Sequence, residues 1–364
     1  MNGGEQWIQI SVPFANAIGP LNSIACHSDG ACLADGNPLL TNNVNTGVWS
    51  IPITVSNSIK SIGNVYGSDF LACGQQKMPN SLPWCYVGVD VKNAPHSRVE
   101  IGIRKKGSIS FRNISPLTAI PANLRPVAIS CLPSGAPCLL AAVEIHHWSS
   151  PGSIFPPRES IHFFRCIDVC PTSLVTVSTV SIDSTFSPSV QLSCVTALEC
   201  GATSGDEFLW TDNGGRTWRV ERDHASHECL ICAIAAPVTC PSRNTCIVGS
   251  VHENSILVTH NQGESWKRVY RFPKSGAVTG ISCPSRTTCY ASSRGPYAEY
   301  DPSHHSPGYI AVSGDAGNHW HLMPIPKEVI INGISCFAIA KCFAVGETVT
   351  GDLGGAGAAI LQLR

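Results

Sequence analysis

Cysteines recur along this chain as close pairs, and that recurrence limits the fold more than any other feature. Cys26/Cys32, Cys194/Cys200, Cys240/Cys246, Cys283/Cys289 and Cys336/Cys342 each enclose five residues, Cys131/Cys138 encloses six and Cys73/Cys85 eleven. Cys166, Cys170, Cys229 and Cys232 complete an even total of 18. Zinc fingers and ribbons use two or four intervening residues with a second pair nearby, so this spacing points to local disulfides. Closing so short a loop removes roughly 2 kcal/mol of unfolded-state entropy on the chain-entropy model. Disulfides at this density need an oxidising compartment. Met1-Asn2-Gly3-Gly4 shows no signal peptide, so the expectation is a secreted or periplasmic protein whose leader has been removed.

Aligned on the pairs, a longer unit emerges. Gly280-Ile281-Ser282-Cys283 leads through Pro284 and Ser285 to Cys289-Tyr290-Ala291, and Gly333-Ile334-Ser335-Cys336 leads to Cys342-Phe343-Ala344. Further copies are Val238-Thr239-Cys240, Leu192-Ser193-Cys194, Ile129-Ser130-Cys131 and Ile24-Ala25-Cys26. Each reads as a short apolar strand, a turn, and a second short strand, with the cysteines bridging the hairpin. Downstream lies a second phrase, Thr211-Asp212-Asn213-Gly214-Gly215-Arg216-Thr217-Trp218, repeated from Thr259 to Trp266 and from Ser313 to Trp320, with a degenerate copy from Thr41 to Trp49. This is turn chemistry. The Asp or Asn bonds turn amides, Gly takes a positive φ, and the Trp packs on neighbouring strands.

The second phrase resembles the Asp-box, or bacterial neuraminidase repeat, of sialidase-like propellers. The Cys-Pro-Ser-x-x-x-Cys phrase is similar to that of secreted bacterial repeat proteins of unassigned activity. Each unit then supplies strand A, a bridged turn, strand B, a connection, strand C, a box turn and strand D, which is one four-stranded propeller blade. Seven units over 364 residues average 52 apiece, near the usual propeller repeat. The last unit ends with Ala359–Leu363 as its strand C and lacks D, while Trp7–Val12 is an orphan D at the start. The expectation is an all-β, seven-bladed propeller of antiparallel blades, a single domain over 1–364, closed by both termini in one blade. Two stacked β-sandwiches are the alternative. Cys166–Cys170 stands where the third unit's box turn would be and is expected to staple it.

Lys and Arg total 24 against 25 Asp and Glu, so no basic field calls for nucleic acid. No apolar run reaches the roughly 18 residues of a membrane span. Gly-x-Ser-x-Gly, phosphate-loop and dinucleotide fingerprints are missing, and no cofactor is implied.

In a propeller the bridged A–B turns and the C–D turns share one face, and the B–C and D–A connections share the other. Two B–C connections are long: Glu144 to Glu159, with His146, His147 and Trp148, and Arg294 to His305, with Tyr297, Glu299, Tyr300, Asp301 and His304. Aromatics beside carboxylates and imidazoles suit sugar rings or planar ligands, and can also do acid–base work. These residues are the expected ligand site, facing one another across the ring. The connection after Trp218 carries His224, His227, Cys229 and Cys232; a Cys229–Cys232 bridge is expected, and a metal centre is the weaker reading. Sialidase chemistry needs an arginine triad, a Tyr/Glu nucleophile pair and an Asp acid. Phe111-Arg112-Asn113-Ile114 and Phe164-Arg165-Cys166 match the first arginine's Phe-Arg-Ile-Pro phrase poorly. The favoured function is an exported recognition or scaffold protein binding a glycan or a protein through its loop face. The alternative is a glycan-active hydrolase, with Asp206, Asp301 and Asp352 as acid and base candidates.

Overall fold

The computed structural model describes residues 5–12, 19–26, 30–36, 40–42, 46, 48–50, 68–74, 84–89, 98–105, 108–113, 120–121, 123–132, 137–144, 159–166, 174–182, 190–222, 236–250, 253–273, 276–295, 307–326, 328–348 and 357–364. Among them the strands form seven four-stranded sheets. Six of these are simple meanders. In the fourth repeat, Val190–Cys194, Cys200–Ser204, Glu207–Thr211 and Arg219–Arg222 run in order as A, B, C and D. Every pairing is antiparallel, and in the first, second, third, fourth and seventh sheets the register sets the first cysteine opposite the second, as Cys194 is opposite Cys200 and Cys336 opposite Cys342.

The seventh sheet joins the ends of the chain. Its A and B strands are Val329–Ala338 and Lys341–Thr348, its C strand is Gly357–Leu363, and its D strand is Trp7–Ile10. Trp7 pairs with Leu363 and Ile10 with Ile360. Each A strand also contacts the A strands of the repeats on either side, the seventh touching the first. The sheets therefore stand around a central axis with A innermost, which is a β-propeller. Two stacked sandwiches do not fit this order.

Covering by neighbouring sheets explains why the middle strands read as apolar throughout. Cys246–Gly249 and Ser255–Thr259 are buried at every position. The outer D strand Lys267–Arg271 is exposed at both ends, and its charges guard an unpaired edge against further pairing. Tryptophans join successive sheets. Trp218 stacks on Phe163 with ring centroids 4.2 Å apart, Trp266 meets Phe208 edge-on at 5.0 Å, and Trp49 meets Phe343 at 5.6 Å. Trp320 packs with Ile247 and Val258, and Trp7 with Tyr290 and Ile310. Trp7 thus occupies the place of a C–D turn tryptophan although it comes first in the chain. Trp7, Trp49 and Trp320 are buried and Trp218 and Trp266 half-buried, so the gain of about 1.5–3 kcal/mol for a fully buried large apolar side chain applies in full to the first three.

Six hairpin disulfides are formed among the described residues: Cys26–Cys32, Cys131–Cys138, Cys194–Cys200, Cys240–Cys246, Cys283–Cys289 and Cys336–Cys342. Backbone register sets Cys73 opposite Cys85 in the second sheet, and Cys166 is disulfide-bonded. Cys170, Cys229 and Cys232 lie outside the described residues. Six bonds of this kind suit an oxidising environment.

Candidate functional site

The two ends of the propeller are built differently. At one end the disulfide hairpins of the fourth, fifth and sixth repeats are tied to the C–D turns of their own sheets. The backbone N–H of Gly214, Gln262 and Ala316 donates to the carbonyls of Leu198, Asn244 and Thr287, at 2.8, 3.2 and 2.8 Å. Within the turns the same bonds recur. Asn213 Oδ1 accepts from Thr217 N at 3.0 Å, Asn261 Oδ1 from Ser265 N at 3.0 Å, and Asp315 Oδ1 from His319 N at 2.9 Å. The hydroxyl that opens the phrase was not assigned a role by sequence reasoning. Thr211, Thr259 and Ser313 each donate to that Asn or Asp and accept from the glycine N–H four residues on, at 3.0, 2.9 and 3.0 Å. The invariant spacing of Ser or Thr before Gly was the available signal.

The glycine is required by its surroundings as well as its backbone. Gly263 has φ +93°, and a Cβ there would lie 2.3 Å from the Phe208 ring of the preceding sheet. Arg165 belongs to this same end, since a Cβ on Gly214 would come within 2.7 Å of its Nη1. It packs beneath a turn, where a structural role accounts for it. Arg112 lies on Ser108–Asn113, described through its backbone alone.

At the other end the described residues hold the roots of the long connections. Ser293 and Arg294 close strand B of the sixth repeat, Cys289–Arg294. Ser293 Oγ donates to Asn254 Oδ1 of the fifth repeat at 2.6 Å, and Arg294 Nη2 pairs with Glu347 Oε1 of the seventh at 2.8 Å. Gly308 N, where the chain returns, donates to Val329 O at 2.8 Å. Neighbouring sheets on both sides therefore fix the points from which that connection departs.

The third repeat's root holds a chain of polar groups. Glu144 ends strand B, Cys138–Glu144, and its Oε1 is 3.4 Å from His162 Nε2 on strand C, Glu159–Cys166. His162 Nδ1 is 3.0 Å from Thr179 Oγ1 on strand D, Leu174–Ile182. An imidazole held between a carboxylate and a hydroxyl can pass a proton either way. Sequence reading picked out Glu144 and missed His162, whose signal was a polar residue between buried Ile161 and Phe163.

Of the expected site residues only Glu144 falls in the described structure. His146, His147, Trp148, Tyr297, Glu299, Tyr300, Asp301, His304 and His305 lie outside it, as do Asp352, His224, His227, Cys229 and Cys232. Asp206 is exposed in the tight turn between Cys200–Ser204 and Glu207–Thr211. Among the described residues no three His, Cys, Asp or Glu side chains gather as a metal site, and no helix is long and apolar enough to cross a membrane.

Between the A strands runs a channel of about 550 Å³, lined on different sides by Asn22, Asp35, Val127, Leu192, Thr279 and Asn332. That volume lies within the range of small-molecule sites.

No family model matches this chain, and no characterised protein matches it by sequence. Solved propellers do match by shape. The WD40 repeats of RRP9 align over 99% of this chain and 98% of their own at 11% identity and TM-score 0.57. YCF48 bound to D1 peptide aligns over 98% and 97%, at 13% identity and TM-score 0.59. The GH74 xyloglucanase from Xanthomonas campestris aligns at 10% identity and TM-score 0.58 over 97% of this chain, which spans only 55% of that enzyme. At these identities the likeness concerns the fold alone.

Proposed function

We propose that this chain is a single seven-bladed propeller domain over residues 1–364, an exported recognition or scaffold protein that binds a glycan or a protein partner through its loop face. The observation that carries the reading is the division of labour between the two ends. Disulfides, C–D turns and packed tryptophans occupy one end, where turn and hairpin are bonded to each other. The opposite end presents long connections whose roots are fixed by Ser293–Asn254 and Arg294–Glu347. Binding residues commonly ride on loops held by a rigid scaffold. On this reading Glu144, His146, His147 and Trp148 form one wall of the site, and Tyr297, Glu299, Tyr300, Asp301, His304 and His305 the other.

The three C–D turns with Ser/Thr-x-Asp/Asn-x-Gly-x-x-Trp are read as Asp-boxes and the chain as sialidase-like in architecture, without sialidase chemistry. Propeller relatives in shape support both sides of the functional choice: YCF48 was solved with a peptide, and GH74 is a xyloglucanase. Exposed Asp206 on the loop face keeps the second reading, a glycan-active hydrolase, in play. A glycan array run beside a broad glycosidase screen separates the two. Saturable binding with no turnover supports recognition, whereas turnover of any glycan replaces it with the hydrolase.

A further inference from the structure

Among the described strands, the outer edge of every blade but the third is short or charged. Trp49–Ser50, His321–Met323 and Trp7–Ile10 run for only two, three and four residues. Ser108–Asn113 carries Arg112, Arg219–Arg222 is Arg-Val-Glu-Arg, and Lys267–Arg271 is Lys-Arg-Val-Tyr-Arg. Short or charged edges are common defences against edge-to-edge pairing. The third repeat's D strand, Leu174–Ile182, is nine residues long and reads Leu-Val-Thr-Val-Ser-Thr-Val-Ser-Ile, without a charge, a proline or a glycine. It pairs with Glu159–Cys166 and is the last strand of its sheet. Alternate residues of an antiparallel edge strand turn N–H and C=O away from the ladder. Among the described residues no backbone group of this strand bonds on that outer side. Val175 is 53% exposed, and Thr176, Thr179 and Ser181 are exposed with it.

As at Thr279 and Asn332 in two of the A strands, the ladder slips by one residue at Val177. Beyond the slip, residues 178–182 pair without interruption with residues 159–163, and five residues make a straight edge of about 17 Å. This stretch is complementary to itself. Val180 and Ile182 join the core shared with the fourth repeat, and on the same face Ser178 Oγ donates to Gly215 O at 2.5 Å. Thr179 and Ser181 alternate onto the opposite face, where Thr179 meets His162. Antiparallel pairing centred on Val180 sets Val180 opposite Val180, Ser178 opposite Ile182 and Thr179 opposite Ser181. Each residue then meets one on its own face, and a Thr–Ser pair across a ladder is favourable. Lys267–Arg271 paired with itself in the same way would oppose Lys267 with Arg271.

We propose that this edge is a dimerisation surface whose occupant is the same strand of a second copy of the chain. The two strands run antiparallel about a two-fold axis at Val180 and join two four-stranded blades into one eight-stranded sheet. Matching of faces and freedom from like charges favour the second copy over an unrelated extended peptide. A pair this short makes a weak dimer, with a Kd on the order of 10–100 µM. The rim lies between the two ends of the propeller, so the dimer does not depend on the loop-face reading.

Sedimentation velocity of the full chain over about 1–300 µM tests it. The expected result is a concentration-dependent passage from monomer to dimer. Ser181→Lys and Ser181→Glu each bring like charges together beside the axis and should weaken the dimer at least about 10-fold, with melting temperatures unchanged in dilute solution. An equimolar mixture of the two variants should dimerise again, because Lys then meets Glu across the axis. If one variant does not fold, the other alone carries the test. A parent chain that stays monomeric throughout overturns the proposal. So does a dimer that both variants leave intact, or a mixture of two folded variants that stays monomeric.

Discussion

Ser335 Oγ accepts the backbone N–H of Cys26 at 3.0 Å, a bond between the last repeat and the first across 309 residues of sequence. The same bond links other neighbours. Ser130 accepts from Cys194, Ser193 from Cys240 and Ser282 from Cys336, each at 2.9 Å. The serine before a repeat's first cysteine thus latches the first cysteine of the next repeat. Ser335 lies on strand A of the same sheet that Trp7–Ile10 completes by pairing with Gly357–Leu363. Ser335→Ala should cost about 1 kcal/mol, since it leaves the half-buried Cys26 N–H without that acceptor. Deleting residues 1–13 should cost far more, because it strips strand D and Trp7 from the seventh sheet. Thermal melts of both variants check this, and an unchanged melt for the deletion would refute closure at that seam.

The C–D turn glycines should rank by the room around them. Gly263→Ala combines φ +93° with a Cβ 2.3 Å from Phe208, while Gly314 has open space and an ordinary backbone. The first substitution should destabilise by about 2–4 kcal/mol and the second by less than about 1. Gly215→Ala, with φ +84° and Leu139 at 3.1 Å, should fall between them. Chemical denaturation midpoints give the order directly.

Asp315 carries a pH signature. Burial opposes its ionisation, yet hydrogen bonds from the His319 ring and backbone and from Ser313, with the His319 charge, hold its pKa down to about 2 against an ordinary 3.8. A depressed carboxylate stabilises the fold above its unfolded pKa, and that contribution disappears as pH falls through the folded value. The window is therefore about pH 4 down to 2. Subtracting the melting curve of Asp315→Asn from that of the parent should show a difference that is fully present near pH 4 and shrinks as the pH falls from there toward 2. A difference that grows toward pH 2 would contradict the assignment.

Peptide mapping without reduction should recover the six described hairpin bridges. It should also recover Cys73–Cys85, Cys166–Cys170 and Cys229–Cys232, for nine in all. Finding Cys229 and Cys232 as free thiols that take up zinc would reverse the expected bridge and favour the His224/His227 metal reading.

Much of this architecture is legible in the sequence because it rests on local chemistry. A cysteine on each side of a short turn specifies a hairpin, and Thr259, Asn261 and Gly263 specify the turn that faces it through bonds within a few residues. The complementary ends are legible for the same reason, since Trp7 repeats the environment of Trp266. The latches were not. Ser193 and Ser282 stand in plain view beside their cysteines, but their partners belong to the next repeat, and only the closed ring brings them together. Nor were the channel residues, because a bulge is a slip of backbone register that leaves the apolar pattern around Thr279 and Asn332 intact. His162 escaped notice because strand alternation places polar residues at such positions routinely. The long connections repeat nothing, so spacing could rank their aromatics but not position them.

The most direct test of the account compares the two ends of the propeller in one binding experiment. Once an array or partner screen yields a ligand, its affinity is measured for Trp148→Ala and Tyr300→Ala on the loop face, and for Leu198→Ala and His319→Ala on the disulfide face, where both side chains are exposed. The account predicts that each loop-face variant loses binding at least about 10-fold with its melting temperature unchanged, as for an aromatic anchor, while both disulfide-face variants bind as the parent does. Binding lost from the disulfide-face variants and kept by the loop-face pair would contradict it.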